Sequence, residues 1–339
     1  VLLVDEFQDL TPAHLLLVRL LSGPDGAVFG VGDDDQTIYG YNGADPAWLI
    51  EFSDLFPGAG AHPLEVNYRC PAGVVDAVDR LLRHNRRRVT KTIRAASAAT
   101  PGWSADRRPD VVAATTDAVR TSLAAGRSPR DIAVLARVNA ALVGVQAALV
   151  ADELPFRGGA GLEFMDRTAV RSVLAWIRLA VTEARSGSLV ADDIREALRR
   201  PSRSLHPRIT DWVCEQTDVA GLFRLAGRLN KERDSERVTE FAADVQRLAR
   251  RVGDSAPTSD IVVTLIDEMG LGGSVSSLDT HRRGMNRSAQ GDDLTAVAHL
   301  AALHDDVLSF ESWLRGTLAT PRTADGVLLA TVHRVKGQE

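Results

Sequence analysis

Val1-Leu2-Leu3-Val4-Asp5-Glu6-Phe7-Gln8-Asp9 is an apolar run that ends abruptly in acids. Four apolar residues bounded by charge predict a short, fully buried strand, central in a parallel sheet. The carboxylates then stand at its C-terminal tip, where open α/β sheets bind their ligands. Asp5 and Glu6 together suit nucleotide hydrolysis. One acid can help hold Mg2+, which keeps several waters and takes few protein carboxylates. The other can orient or deprotonate an attacking water. On this segment alone the plainer alternative, a buried strand meeting an ordinary polar turn, stays open.

Composition narrows the class. At 339 residues the chain is too long for one typical domain, and two or three are expected. With 45% apolar and 25% charged residues it is ordinary for a soluble globular protein. A net charge of −5 and a pI near 5.9 argue against simple charge-driven coating of nucleic acid, while leaving room for a local basic groove. Cys70 and Cys214 are too few and too far apart for a disulfide framework or a metal site, which points to a reducing compartment and a cytoplasmic location. There is no signal peptide pattern and no apolar run long enough to span a membrane, so no membrane partner is expected. Val1 falls inside a strand and Glu339 ends a motif mid-stride, so the chain reads as an internal fragment of a larger protein.

Further along, Thr11-Pro12 opens a helix with apolar positions Leu15, Leu16, Val18, Leu20 and Leu21. Ala27 to Val31 is a second buried strand, residues 47–56 are helical, and the Pro- and Gly-rich stretch 57–63 is a loop and a boundary. A second α/β unit follows: a strand over 63–66, a helix from Pro71, a loop over 95–109, and strands at Val111–Ala114 and Ile132–Leu135, each with a helical stretch after it. From about Phe164 to residue 318 helical periodicity dominates, as in Val170, Val173, Leu174, Trp176, Ile177 and Leu179. Val327–Val332 reads as a strand again, so the helical block is best explained as an insertion into an α/β domain. The run Arg86-Arg87-Arg88 reads as a solvated basic face.

Three more segments carry candidate chemistry. Gly32-Asp33-Asp34-Asp35-Gln36 follows the second strand, so Gln36 stands at the ligand-binding edge, where a Gln can contact a γ-phosphate or position the attacking water. Tyr39 and Tyr41 supply two aromatic faces in a chain with only 5% aromatic residues; either they stack on bases or they pack within the loop. In Leu64-Glu65-Val66-Asn67-Tyr68-Arg69-Cys70-Pro71, Arg69 lies between a strand and a helix and is suited to phosphate, although a lone Arg more often caps a surface carboxylate. The terminal Thr331-Val332-His333-Arg334-Val335-Lys336-Gly337-Gln338-Glu339 suits contact with a phosphate backbone.

In order and spacing, DEFQD, GDDDQTIYGYNGAD, LEVNYRCP and TVHRVKGQE resemble motifs II to V of the UvrD/Rep/PcrA helicases of superfamily 1, and the segments 132–139 and 158–167 resemble what lies between them. The GYNGADPAW wording is most like an actinobacterial UvrD-like paralogue. The resemblance implies RecA-like P-loop NTPase domains of α/β, parallel-sheet type with an all-helical insertion. The first RecA-like domain would be partial over 1–62 and the second would run over 63–163. The insertion would occupy 164–323, and the second domain would resume over 324–339. It implies an ATP-dependent 3′–5′ DNA helicase and single-stranded DNA translocase of repair or replication restart, with ATP and Mg2+ as cofactors. Its partners would be single-stranded DNA, single-strand/duplex junctions and repair or replication proteins. By motif, Asp5 and Glu6 would hold Mg2+ and Glu6 would be the base. Gln36 would sense the γ-phosphate and Arg69 would be the arginine finger, while Tyr68, Gly337 and Glu339 would contact the nucleotide. Tyr39, Tyr41, Asn42, Arg137, Asn139, Thr331 and His333 would contact DNA.

The chain departs from the family pattern at three places. Tyr41-Asn42 replaces the usual Trp-Arg, which removes a phosphate contact. Ser204-Leu205-His206 replaces a Gly-Ile-Gly that approaches duplex phosphates in relatives, with Arg199, Arg200, Arg203 and Arg208 nearby as electrostatic substitutes. No G-x-x-x-x-G-K-[ST] loop and no Arg-bearing motif VI occur, so the 339 residues alone are expected not to hydrolyse ATP. The rival readings are a non-catalytic nucleic-acid clamp and the motor half of a helicase–nuclease.

Overall fold

All strand pairs among the described residues run parallel, as the β-α-β alternation predicts. The computed structural model describes residues 1–24, 26–96, 102–279 and 289–337. The chain forms two compact units, Val1–Arg107 and Arg108–Glu339.

In the first unit, β1 (Leu2–Val4) pairs with β2 (Val28–Gly30) in the register Leu2↔Val28, Leu3↔Phe29 and Val4↔Gly30. Between them runs α1 (Pro12–Ser22). Thr11 Oγ1 accepts from the His14 N–H and His14 Nδ1 accepts from the Thr11 N–H, both at 3.3 Å, so two orphan donors of the first turn are satisfied reciprocally. Pro12 sits in that turn, where its missing N–H costs nothing.

The expectation of a fully buried first strand is not met. Leu3 is 73% exposed and its partner Phe29 53%. A strand alternates faces, and only one face of this pair is covered. On that face Phe7 is completely buried and meets Phe52 edge-on at 5.0 Å. Gly30 permits the approach: a Cβ there would lie 2.8 Å from Phe52 and 2.9 Å from Phe7. The helical stretch 47–56 is two short helices, α2 (Ala47–Ile50) and α3 (Phe52–Leu55), broken at Glu51.

The strand expected over 63–66 is displaced to β3 (Val66–Asn67), because Pro63 has no N–H to give a ladder and Leu64 stays 89% exposed. After α4 (Ala72–Leu82), β3 pairs with β4 (Arg94–Ala95), which overlaps the start of the expected loop.

The second unit begins with a correction. Val111–Ala114 is not a strand but the first turn of α5 (Val111–Ala124). Asp110 Oδ1 accepts the Ala113 N–H at 2.9 Å as an N-cap, and Val112, Thr116, Val119 and Leu123 repeat at helical spacing toward the core. There follow β5 (Ala133–Ala136), α6 (Ala140–Ala151) and β6 (Phe156–Gly158).

From residue 168 to 319 the described chain is helical and loop: α7 (Thr168–Ala184), α8 (Ala191–Arg199), α9 (Pro207–Cys214), α10 (Val219–Ala226), α11 (Glu232–Gly253), α12 (Thr258–Val263), α13 (Leu271–Asp279), α14 (Ala289–Ala302) and α15 (Phe310–Ala319). A π-helical turn, Thr264–Glu268, continues α12. All six apolar positions that predict the helix over α7 are buried, and Trp176 there packs on Phe241 of α11 at 5.4 Å.

The chain then returns as β7 (Val327–Thr331), which inserts between β5 and β6 to give the order β5-β7-β6. Val327 and Leu329 join Val119, Val145, Leu149 and Phe156 in the core beneath this sheet. A short helix, α16 (Val332–Val335), follows. Among the described residues no single helix is long and apolar enough to cross a membrane.

Candidate nucleotide and nucleic-acid sites

The first unit gathers the acidic motif and the Asp-rich motif at the C-terminal tips of β1 and β2. Just past β1, Glu6 is forced into the left-handed region (φ 50°, ψ 43°), an uncommon conformation for a non-glycine residue. The cause is local. Val31 N–H donates to Val4 O and Phe7 N–H to Val31 O, both at 2.8 Å, so the backbone on each side of Asp5-Glu6 is tied to Val31, just past β2. Strain of about 1–3 kcal/mol at such a residue persists only where its surroundings over-determine it.

Asp5 Oδ1 accepts the Glu6 N–H at 2.8 Å. Glu6 Oε2 accepts from Gln8 Nε2 at 2.5 Å, and Gln8, which is wholly buried, accepts the Asp33 N–H on its Oε1 at 3.0 Å. Gly32 makes room for that bridge, because a Cβ there would lie 2.3 Å from Gln8 Oε1. Asp33 in turn accepts from Gln36 Nε2 on Oδ2 at 2.9 Å. Glu6 and Gln36, read from separate motifs, are therefore linked through Gln8 and Asp33.

Three consecutive carboxylates, Asp33, Asp34 and Asp35, come close enough together to hold a metal ion. Lys91 lies among them, its Nζ 2.5 Å from Asp33, 2.7 Å from Asp34 and 3.3 Å from Asp35. Asp35 also accepts from Arg88 at 2.7 Å and from Asn85 at 2.9 Å, and Asp34 accepts the Val89 N–H at 2.8 Å. Burial alone would raise the Asp33 carboxyl, but hydrogen bonds from Lys91 and Gln36 hold it below the ordinary value of 3.8. Burial likewise works to lower Lys91, and Asp33 and Asp34 outweigh it to hold the ammonium above 10.5.

The basic run is therefore not simply a solvated face. Arg87 pairs with Glu51 at the surface, but the Arg88 side chain is only 15% exposed. Motif reading alone passed over Asn85, Arg88 and Lys91. The signal present in the sequence was the need of three adjacent acids for cations, with Arg88 and Lys91 the candidates downstream. Asp5 and Glu6, by contrast, are exposed and adjacent at a strand tip, which fits a cation that keeps its water.

Tyr39 and Tyr41 meet edge-on, with ring centroids 6.2 Å apart. Tyr41 remains 45% exposed and Asn42 is exposed beside it, so one aromatic surface still faces out. Before α4, Asn67 Oδ1 accepts the N–H groups of Arg69 (3.0 Å) and Cys70 (2.8 Å), which fixes the turn that presents Arg69. Arg69 is exposed and Tyr68 is 85% exposed.

In the second unit, Ala136 pairs with Thr331 at the ends of β5 and β7. Arg137 and Asn139 follow one strand and His333 follows the other, so these four candidates share one sheet edge. Gly337 adopts φ +74°, and Glu339 lies outside the described residues. Of the arginines near Ser204-Leu205-His206, Arg203 binds Asp244 and Glu240, Arg199 and Arg200 face Glu196, and Arg208 lies over the Trp212 ring at 5.1 Å. Acidic partners thus offset much of the positive charge that sequence reading assigns there. Ser204 nevertheless keeps a glycine-like φ of +47°.

Comparison with known proteins agrees with the motifs. The profile of the UvrD/REP helicase N-terminal domain matches residues 1–57, and that of the UvrD-like helicase C-terminal domain matches residues 62–251. The proteins named DNA helicase II of Salmonella typhimurium and of Escherichia coli are each 26% identical over 367 residues, covering 100% of this chain and 49% of their own length. The ATP-dependent DNA helicase PcrA of Staphylococcus epidermidis is 27% identical over 213 residues, covering 62% of this chain and 28% of its own. The chain spans about half the length of the curated relatives it matches end to end. With one family profile covering more than half of its residues and both profiles in consecutive order, the chain belongs to the UvrD-like helicase family.

Proposed function

We propose that this chain is part of an ATP-dependent 3′–5′ DNA helicase, a single-stranded DNA translocase that works on single-strand/duplex junctions in repair or replication restart. The observation that carries the reading is the hydrogen-bonded path from Glu6 through Gln8 and Asp33 to Gln36 at the tips of two parallel strands. That path links a candidate base to a candidate γ-phosphate contact, which supports phosphoryl transfer by positioning.

ATP with Mg2+ supplies the phosphoryl group when bound. Asp5 and Glu6 would hold the cation through their exposed carboxylates, and Glu6 would take a proton from the attacking water. Gln36 contacts the terminal phosphate, Arg69 neutralises charge developing there, and Tyr68, Gly337 and Glu339 hold the rest of the nucleotide. Tyr39, Tyr41 and Asn42 in one unit, and Arg137, Asn139, Thr331 and His333 in the other, contact the DNA strand. The domain assignment is a partial first RecA-like domain over 1–62, a second over 63–163 resumed at 324–339, and a helical insertion over 164–323. The return of β7 into the middle of the β5–β6 sheet supports the resumption at 324–339. The cytoplasm is the proposed location, with repair or replication proteins as partners.

The 339 residues contain no G-x-x-x-x-G-K-[ST] loop, so hydrolysis is proposed for a protein that supplies one. The test is strand displacement by such a protein on duplexes with a 3′ or a 5′ single-stranded tail. ATP-dependent displacement from the 3′-tailed substrate is expected. DNA binding without ATP-dependent displacement from either would instead favour the non-catalytic clamp.

A further inference from the structure

We propose that Lys91 is a positioning residue for Gln36, acting through the carboxylate of Asp33. The inference rests on the assignment of Gln36 as a phosphate contact and extends it to a residue outside the recognised motifs.

Gln36 ends a 3-10 helical turn, Asp34–Gln36, and a glutamine amide has three side-chain torsions to settle before it can aim at a phosphate. Asp33 Oδ2 takes the Gln36 amide at 2.9 Å. A carboxylate held by one oxygen can pivot, so the aim of Gln36 depends on what holds the other oxygen. That oxygen, Oδ1, accepts from Lys91 Nζ at 2.5 Å and from the Asp35 N–H at 3.1 Å. Lys91 is itself clamped, with its side chain 13% exposed and a carboxylate on three sides.

Asp34 and Asp35 have side chains only 3% and 2% exposed, so water screens their charges poorly. Without Lys91 the three neighbouring carboxylates would repel one another and the segment 33–36 would rearrange. Arg88 and Asn85 secure Asp35, but neither bonds Asp33. The same Asp33 also donates its N–H to Gln8, which bonds Glu6, so its placement bears on both candidate hydrolytic groups. Lys91 follows α4, and Arg69 precedes it. The residue that sets Gln36 thus lies on the segment that also carries the candidate arginine finger.

The test is a double-mutant cycle in a protein with a complete ATP site, using Lys91→Met, Gln36→Ala, the pair together, and Lys91→Arg. DNA-stimulated kcat and KM for ATP are measured below the unfolding transition of every variant. If Lys91 acts through Gln36, Lys91→Met lowers kcat by about tenfold or more with KM little changed, and the double variant is no slower than Gln36→Ala alone. Lys91→Arg, which keeps the charge, recovers part of the loss. If Lys91→Met does not fold, Asp33→Asn takes its place in the cycle with the same expected non-additivity. Rate losses that multiply, or a Lys91→Met variant with unchanged kcat, overturn the inference while leaving the assigned function intact. A wild-type protein that fails to hydrolyse ATP overturns both.

Discussion

Lys91 Nζ lies 2.5 Å from the carboxylate of Asp33, although 58 residues separate them in sequence. The pairing has a definite pH signature. Asp33 is held below its ordinary 3.8, so its contribution to stability is present above that value and is lost as pH falls through the lower folded one. Lys91 is held above 10.5, so its contribution is present below that value and is lost as pH rises through the higher folded one. Both are intact across neutrality. Urea unfolding midpoints of the wild type and of Asp33→Asn should therefore differ near neutral pH and converge in acid. A gap that persists unchanged into strong acid contradicts the ion pair.

Gly32 is not held in the left-handed region, so alanine there is tolerated by the backbone but not by its neighbours. The added Cβ would sit 2.3 Å from Gln8 Oε1 and 3.1 Å from the Phe7 nitrogen. Gln8 is wholly buried and bonded at both ends, so it has nowhere to swing. Gly32→Ala should cost about 1–3 kcal/mol in chemical unfolding, the usual range for overpacking, and should slow ATP turnover by displacing Asp33.

Tyr41 offers an exposed ring beside Tyr39. If it stacks on a base, Tyr41→Ala should weaken oligonucleotide binding by about 1–3 kcal/mol, while Tyr41→Phe should retain most of the affinity. Fluorescence anisotropy at fixed salt reads this directly, because the phosphate contribution changes steeply with ionic strength. Equal affinity in the alanine variant would confine Tyr41 to packing in its loop.

Gln146 ties α6 to the turn after β6 in the second unit. It is wholly buried; its Oε1 accepts the Ala160 N–H at 2.9 Å and its Nε2 donates to Ala160 O at 3.0 Å. Arg322 shares that carbonyl at 2.7 Å, which joins the turn to the approach to β7. Gln146→Leu leaves the Ala160 N–H buried and unpaired, so thermal unfolding should show a loss of about 1–3 kcal/mol. An unchanged transition would mean that a water has replaced the amide.

Where chemistry is local, the sequence was legible. Apolar runs ending in acids located the tips of β1 and β2, the Thr11-Pro12 pair located the start of α1, and the apolar stripe from Val170 to Leu179 located α7. Val111–Ala114 misled because four small apolar residues suit a strand or a helix equally, and the deciding signal was the cap at Asp110 just before them. The exposure of Leu3 and Phe29 was not legible, since an apolar residue reads the same whether or not something covers it. Nor was the choice of Lys91 and Arg88 for the Asp33–Asp35 cluster, because charge pairing across such a separation is decided by tertiary approach and not by spacing.

The most direct measurement is DNA-stimulated ATP turnover by Glu6→Gln in a protein with a complete ATP site. The substitution removes the base, yet the new amide oxygen can still accept from Gln8, so the linked array should stay in place. The expected result is nucleotide binding close to wild type with turnover lowered by about a hundredfold or more, the scale of a lost general base. Turnover equal to that of the wild type would contradict the assignment of Glu6 and, with it, the reading of the β1 tip as a hydrolytic site.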